Sequence, residues 1–199
     1  MDIAVILKAP FLTEKVTEEK VIYADAGYKF KDIVGEKKIL AVVGDFDSLK
    51  APPKDQNTIN LNVEKDFTDG ERAIRYAVEL GAKNISIYGA YGGNIDHILG
   101  NITLLKIAKE LGVNAVIKDD GKNTVLISKD SRFKVKKGGT VSIIPYGGDC
   151  SFLDSEGLYY PLKDVTLTTK DTRGISNRAE SQEIVINVKS GEALIIYER

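Results

Sequence analysis

The sequence predicts an α/β domain followed by a small antiparallel β-sandwich, and three observations carry that prediction. Up to about residue 118, short apolar runs alternate with helical patterns, the rhythm of a mostly parallel sheet covered on both faces. A tight turn then falls at Asp119–Asp120–Gly121. Beyond it only short apolar segments remain, separated by Gly, Asn, Asp and Lys, with no helical stretch among them.

In the first part, strands are expected at residues 3–7, 21–24, 39–43, 58–63, 85–88 and 115–117. A helix over residues 69–80 places Ala73, Ile74, Ala77 and Val78 on one face. A second, over residues 96–111, turns Ile98, Leu99, Ile102 and Leu105 inward and stops at Gly112. In the second part, strands are expected at 124–128, 133–135, 141–145, 158–160, 165–168, 184–188 and 193–197. There is no internal repeat and no low-complexity linker. The organisation is thus Rossmann-like up to residue 119 and a sandwich over 120–199.

Composition narrows the chemistry. With 43% hydrophobic residues the chain can bury a real core, and 28 Lys plus Arg against 29 Asp plus Glu leave a net charge of -1. That balance offers no general attraction for nucleic acid or anionic membrane, so any polyanion must be held locally. No apolar run reaches the roughly 18–20 residues of a membrane span. The segment MDIAVILKAP has no basic n-region and reads as a first strand, not a signal peptide. One cysteine, Cys150, allows no internal disulfide, and a cytoplasmic address is expected. One His and one Cys build no usual zinc site, and neither a GxSxG elbow nor a GxxxxGK[ST] phosphate loop is present.

What remains is carboxylates at strand ends. Ligands of open α/β sheets bind beyond the carboxyl ends of the strands. The run ILAVVGDFDSL ends in Gly44, Asp45, Asp47 and Ser48, and Asp45 and Asp47, two apart, share a face of an extended tail. Two such carboxylates repel unless a cation sits between them, and magnesium prefers oxygen ligands of this kind. A solvated polar turn is the competing reading. The segment Lys65–Asp66–Phe67–Thr68–Asp69–Gly70–Glu71 carries a capping box, Thr68 with Glu71, that puts Asp69 in the first helical turn. There Asp69 either joins the metal group or merely complements the helix dipole. Asp25, after VIYA, is a further strand-end carboxylate. Then NISIYGAYGGNIDHILGNI brings Gly89, Gly92 and Gly93 before a helix start, where backbone N–H groups can approach phosphate; tight packing is the alternative. Carboxylates for a hard metal, glycines for phosphate and Lys65 for charge suit phosphoryl or pyrophosphoryl transfer.

Taken in order, Asp25–Ala26–Gly27, Gly44–Asp45–Phe46–Asp47–Ser48, Lys65–Asp66–Phe67–Thr68–Asp69, Gly89 through Asn101, and Gly174–Ile175–Ser176–Asn177 resemble the thiamin pyrophosphokinase family over nearly the whole chain. The resemblance implies a catalytic ATP- and magnesium-handling domain at 1–119 and a substrate-side sandwich at 120–199, in a homodimer with sites between subunits. It implies transfer of a pyrophosphoryl group from ATP to thiamin, releasing AMP. Asp45, Asp47 and Asp69 then hold Mg2+ and the triphosphate. Asp25, Ser48, Lys65, Asp66, Thr68, Gly92, Gly93, Asn94, Asp96, His97 and Asn101 line the nucleotide site, and Ser176 and Asn177 contact thiamin. Two positions depart from the family pattern: Asn94 stands where Arg is usual, and Ala26 where Gly is usual. Tyr146, Tyr159 and Tyr160 either face a cationic ring or fill the sandwich core. A diphosphokinase for another hydroxymethyl compound such as a pterin, and a non-catalytic nucleotide sensor, are the alternatives.

Overall fold

The computed structural model describes residues 1–46, 57–60 and 66–199. The chain divides into two compact units, Met1–Asp120 and Gly121–Arg199, and passes between them at Asp120 and Gly121, both with positive φ.

The first unit is built on a parallel sheet of β1 (Asp2–Ile6), β2 (Lys20–Ala24), β3 (Lys38–Gly44), β4 (Thr58–Asn60), β5 (Asn84–Tyr88) and β6 (Asn114–Asp119). Their order is β6-β5-β1-β2-β3-β4, and every neighbouring pair is parallel. Of the strand expected at 58–63, residues 58–60 are observed and 61–63 lie outside the described residues. Ile3 and Val5 are as buried as Ala4 and Ile6, so both faces of the sheet are covered. On one face, Ala4, Ile6, Val21, Tyr23 and Val42 cluster with Phe30 and Val16. Phe30 ends a 3-10 segment, Asp25–Phe30, that runs into the short helix α1 (Lys31–Val34), neither of which periodicity revealed. The helices α2 (Asp69–Glu79) and α3 (Ile95–Glu110) pack together, α2 against β1, β2 and β3 and α3 against β6. The expected face of α2 is observed, with Ala73, Ile74 and Ala77 buried. Gly112, at φ +77, follows the end of α3 as expected.

The inward face expected for α3 needs correction. Leu99 is 59% exposed, and the buried residues are Leu104, Leu105 and Ala108. The helix is apolar nearly all round, so periodicity could not choose a face. Its sheet contact falls in the C-terminal half, while its first two turns stand at the carboxyl edge of the strands.

Behind that edge lies a partly buried polar network. Glu18 accepts hydrogen bonds from the Tyr88 hydroxyl (2.7 Å) and from Lys118 Nζ (2.8 Å). Burial pushes the Glu18 carboxyl up, but hydrogen bonds from Lys118, Ser86 and Tyr88 outweigh it and hold its pKa down at about 2. This ties the connection between β1 and β2 to the ends of β5 and β6.

The second unit contains two four-stranded antiparallel sheets. One runs β12 (Asn177–Arg178), β9 (Thr140–Pro145), β14 (Ala193–Glu198), β7 (Lys122–Ile127); the other runs β11 (Val165–Leu167), β10 (Cys150–Glu156), β13 (Glu183–Ser190), β8 (Ser131–Lys134). Val141, Ile143 and Ile195 from the first meet Phe152, Ile184 and Ile186 from the second in one core. Cys150 belongs to that core, and burial, with the nearby Glu192 charge, pushes its thiol up to about 11. Residues 158–160 are not a strand: Leu158 makes a single bridge to Ala179. Two strands were missed instead, the two-residue β12 and the longer β10. The pairing of β10 with β13 slips between Phe152 and Asp154, which breaks the alternation that marks a strand in sequence.

Candidate active site

The order of the parallel sheet reverses at β1, which has β2 on one side and β5 on the other. Such a switch point opens a crevice beyond the strand ends. A cavity of about 430 Å³ lies there, lined by the ends of β1, β2 and β3 and the starts of α2 and α3.

Two glycines explain why Asp25 and Asp45 both reach it. A Cβ on Gly44 would stand 3.1 Å from Asp25 Cα, tighter than an ordinary contact, so glycine lets the end of β3 pass this close to the turn after β2 without displacing it. A Cβ on Gly27 would stand 2.2 Å from the Ile6 carbonyl oxygen, so the same turn is pressed onto the end of β1. Asp25 and Asp45 therefore sit on adjacent strand ends, and Asp69 joins them from the first turn of α2. Thr68 caps that helix, its hydroxyl oxygen accepting the Glu71 N–H at 3.2 Å. The Glu71 carboxylate is engaged by Arg75 at 2.8 Å.

Asp25 is the most constrained of the group. It is 8% exposed, holds φ at +44°, and its Oδ1 is buried with no hydrogen-bond partner among the described residues. A left-handed backbone and an orphaned carboxylate oxygen both carry a cost, which a bound cation would offset. The donor set is oxygen only, which fits magnesium. Among the described residues no group of three or more His, Cys, Asp or Glu stands close enough to hold a metal ion; Asp47 lies outside them.

Of the other expected site residues, Thr68, Asp96, His97 and Asn101 line the cavity. Asp96 Oδ1 accepts the His97 N–H at 2.9 Å, and Asn101 Nδ2 donates to the Ala90 carbonyl at 2.9 Å. Gly92, at φ +86, Gly93 and Asn94 form the turn leading to α3, and Asp66 precedes the α2 cap; none of these four lines the cavity. Ser48 and Lys65 lie outside the described residues. Ala26 is buried in the core and does not line the cavity, so its methyl fills protein interior. Lys8 was missed by sequence reading, yet among the described residues it is the one Lys or Arg lining the cavity. Its position directly after the first strand, at the same edge as Asp25 and Asp45, was the available signal.

The second unit holds a cavity of about 350 Å³ lined by Tyr160, Arg173, Ile175 and Asn177 with apolar neighbours. Asn177 is buried and committed to backbone: its Oδ1 accepts from the Tyr160 and Arg178 N–H groups (3.0 and 2.8 Å) and its Nδ2 donates to the Tyr160 carbonyl at 2.8 Å. Ser176, at φ +61, donates its N–H to Ser142 Oγ. Tyr159 and Tyr160 are exposed and meet edge to face at 4.8 Å, with Arg178 over the Tyr159 ring; Tyr146 is half-buried.

The sequence model of "Thiamin pyrophosphokinase, catalytic domain" matches residues 14–117, and that of "Thiamin pyrophosphokinase, vitamin B1 binding domain" matches residues 122–193. The chain is 33% identical to thiamine pyrophosphokinase of Bacillus subtilis (strain 168) over 144 residues, which span 67% of this chain and 66% of that relative. The crystal structure of thiamine pyrophosphokinase from Bacillus subtilis superposes with a TM-score of 0.87 at 25% identity, covering 100% of this chain and 99% of that one. Thiamin pyrophosphokinase from Geobacillus thermodenitrificans gives 0.85 at 25% identity, covering 100% and 98%. The enzyme from Candida albicans, at 15% identity, TM-score 0.77 and coverage of 100% and 90%, shares the fold.

Proposed function

The chain belongs to the thiamin pyrophosphokinase family, and from that premise we propose that it transfers a pyrophosphoryl group from ATP to the hydroxyl of thiamin. The thiamin oxygen forms a bond to the β-phosphorus, the bond from the β-phosphorus to the oxygen bridging to the α-phosphorus breaks, AMP leaves, and the hydroxyl proton is released. The observation that carries this reading is the cavity at the sheet's switch point, which Asp25, Asp45 and Asp69 line. Asp45 and Asp69, with Asp47, are assigned to Mg2+, and Asp25 faces the same cavity. The ion, when bound, neutralises charge on the phosphates and orients them for in-line displacement.

The protein's own part is positioning. Lys8 adds a positive charge at the cavity wall. Thr68 and Asp69 hold one carboxylate still through the capped start of α2. Asp96, His97 and Asn101 form the nucleotide-side wall behind the Gly92–Gly93 turn. Ser176 and Asn177 belong to the thiamin side, Asn177 by fixing the backbone of Tyr160. Residues 1–119 are read as the catalytic domain and 120–199 as the substrate-side sandwich. A cytoplasmic address is part of the reading; among the described residues no helix is long and apolar enough to cross a membrane.

The proposed assembly is a homodimer. Ile95 and Leu99 project from one face of α3 at 71% and 59% exposure, and a second copy is the occupant that would cover them. Light scattering should give about twice the chain mass, with Leu99→Asp shifting it toward one. The decisive activity test incubates the chain with Mg-ATP and thiamin and measures AMP and thiamin diphosphate together. Equal yields of both are expected. ATP turnover to AMP with a hydroxymethylpterin and none with thiamin would overturn the substrate assignment.

A further inference from the structure

One peptide unit in the glycine-rich turn is held at both ends by side chains from different elements. The carbonyl of Ala90 accepts from Asn101 Nδ2 at 2.9 Å, on α3. The N–H of Tyr91, on the other side of the same peptide bond, donates to Asp119 Oδ2 at 3.3 Å, at the end of β6. A peptide unit is planar, so fixing its oxygen and its N–H fixes its orientation. Asp119 is itself buried, and its second oxygen accepts the Thr13 hydroxyl. Thr13 in turn accepts the Asp120 N–H at 2.8 Å, which locks the carboxylate from behind.

The geometry points to Asp119 as a positioning residue for the phosphate-facing turn, acting through the Ala90–Tyr91 peptide and not through the ligand. This rests on the proposed nucleotide site, whose wall at Asp96, His97 and Asn101 follows directly from the Gly92–Gly93 turn. With the Tyr91 N–H held by Asp119 and the Ala90 carbonyl by Asn101, the Gly92–Gly93 turn starts from a peptide plane of fixed orientation. A carboxylate suits the task because it accepts two hydrogen bonds at once and holds an N–H more strongly than a neutral acceptor does. Asparagine can keep the geometry, its oxygen accepting from Tyr91 and its amide donating to Thr13. Alanine cannot.

The test uses the full chain with two readouts. In Asp119→Ala, amide exchange at Tyr91 measured by NMR should accelerate, and KM for ATP should rise about tenfold while KM for thiamin stays within about twofold. Asp119→Asn should restore both to within about threefold of the parent. Asn101→Ala acts on the other end of the same peptide, so combining it with Asp119→Ala should raise KM for ATP little beyond the larger single effect. Unchanged Tyr91 exchange in Asp119→Ala removes the grip. Faster exchange with unchanged KM for ATP removes its role in phosphate binding. Parallel loss in both KM values and in thermal stability, with no rescue by Asn, would make Asp119 a structural residue only. A parent chain that makes no AMP defeats the kinase reading and the functional half with it, and the exchange measurement separates that failure from an absent grip.

Discussion

The starts of α2 and α3 face the same cavity and are built differently. At α2, Thr68 is extended and its side chain accepts the Glu71 N–H, and burial begins at once with Gly70, Ala73 and Ile74. At α3, Asn94 has nearly the same extended backbone, at φ -64 and ψ 150, but its side chain makes no capping bond. Burial there waits until Leu104, and the first turns expose Ile95 and Leu99. A residue type suited to capping does not decide what its side chain does. The first helix start is closed on itself and presents one carboxylate rigidly. The second leaves its polar side chain and its apolar face to partners outside the helix.

The largest test of this contrast is Asp69→Asn. Losing one key electrostatic contact to the transferring group should lower turnover about a hundredfold or more, with little change in melting temperature. Near-normal turnover would reduce Asp69 to a partner of the helix dipole.

Behind the α3 side, Glu18→Gln removes the charge that Tyr88 and Lys118 surround and should cost about 2 kcal/mol in urea unfolding at neutral pH. The folded carboxyl titrates near 2 and the unfolded one near 4.5, so between those values the unfolded chain binds the extra proton. The Glu18 contribution is therefore complete above pH 4.5 and lost as pH falls toward 2. A parent and variant whose stability difference is the same at pH 6 and pH 3 would contradict it.

Asn94→Arg restores a planar fork of donors next to Gly93. At this exposed position it should tighten ATP binding about tenfold, at the low end for a charge-assisted contact. Unchanged or weaker binding in an ATP titration with excess Mg2+ would mean that Lys8 or another cation already serves the phosphate.

The smallest effects bear on the caps themselves. Thr68→Ala should lose about 1 kcal/mol of stability, whereas Asn94→Ala should lose less than about 0.5 kcal/mol because no capping bond is broken. Equal losses would erase the difference between the two starts.

Much of this protein was legible in its residues. The alternation of apolar runs gave the parallel sheet, the Asp119–Asp120–Gly121 turn marked the change of rhythm, and Thr68 with Glu71 located the start of α2 to the residue. These signals are local: hydrophobic period, turn chemistry and capping act within a few positions of one another. Tertiary structure decided what depended on distant partners. It turned Leu99 outward because the sheet contact of α3 lies further along the helix, and it made 150–156 a central strand despite a slipped register. It buried Asp25 against Gly44, gave Lys8 to the cavity, and placed Asp119 and Asn101 on opposite ends of one peptide. No periodicity encodes such pairings, because the groups that meet there are 11 or more positions apart in the chain and are joined only by the packing of the sheet and its helices.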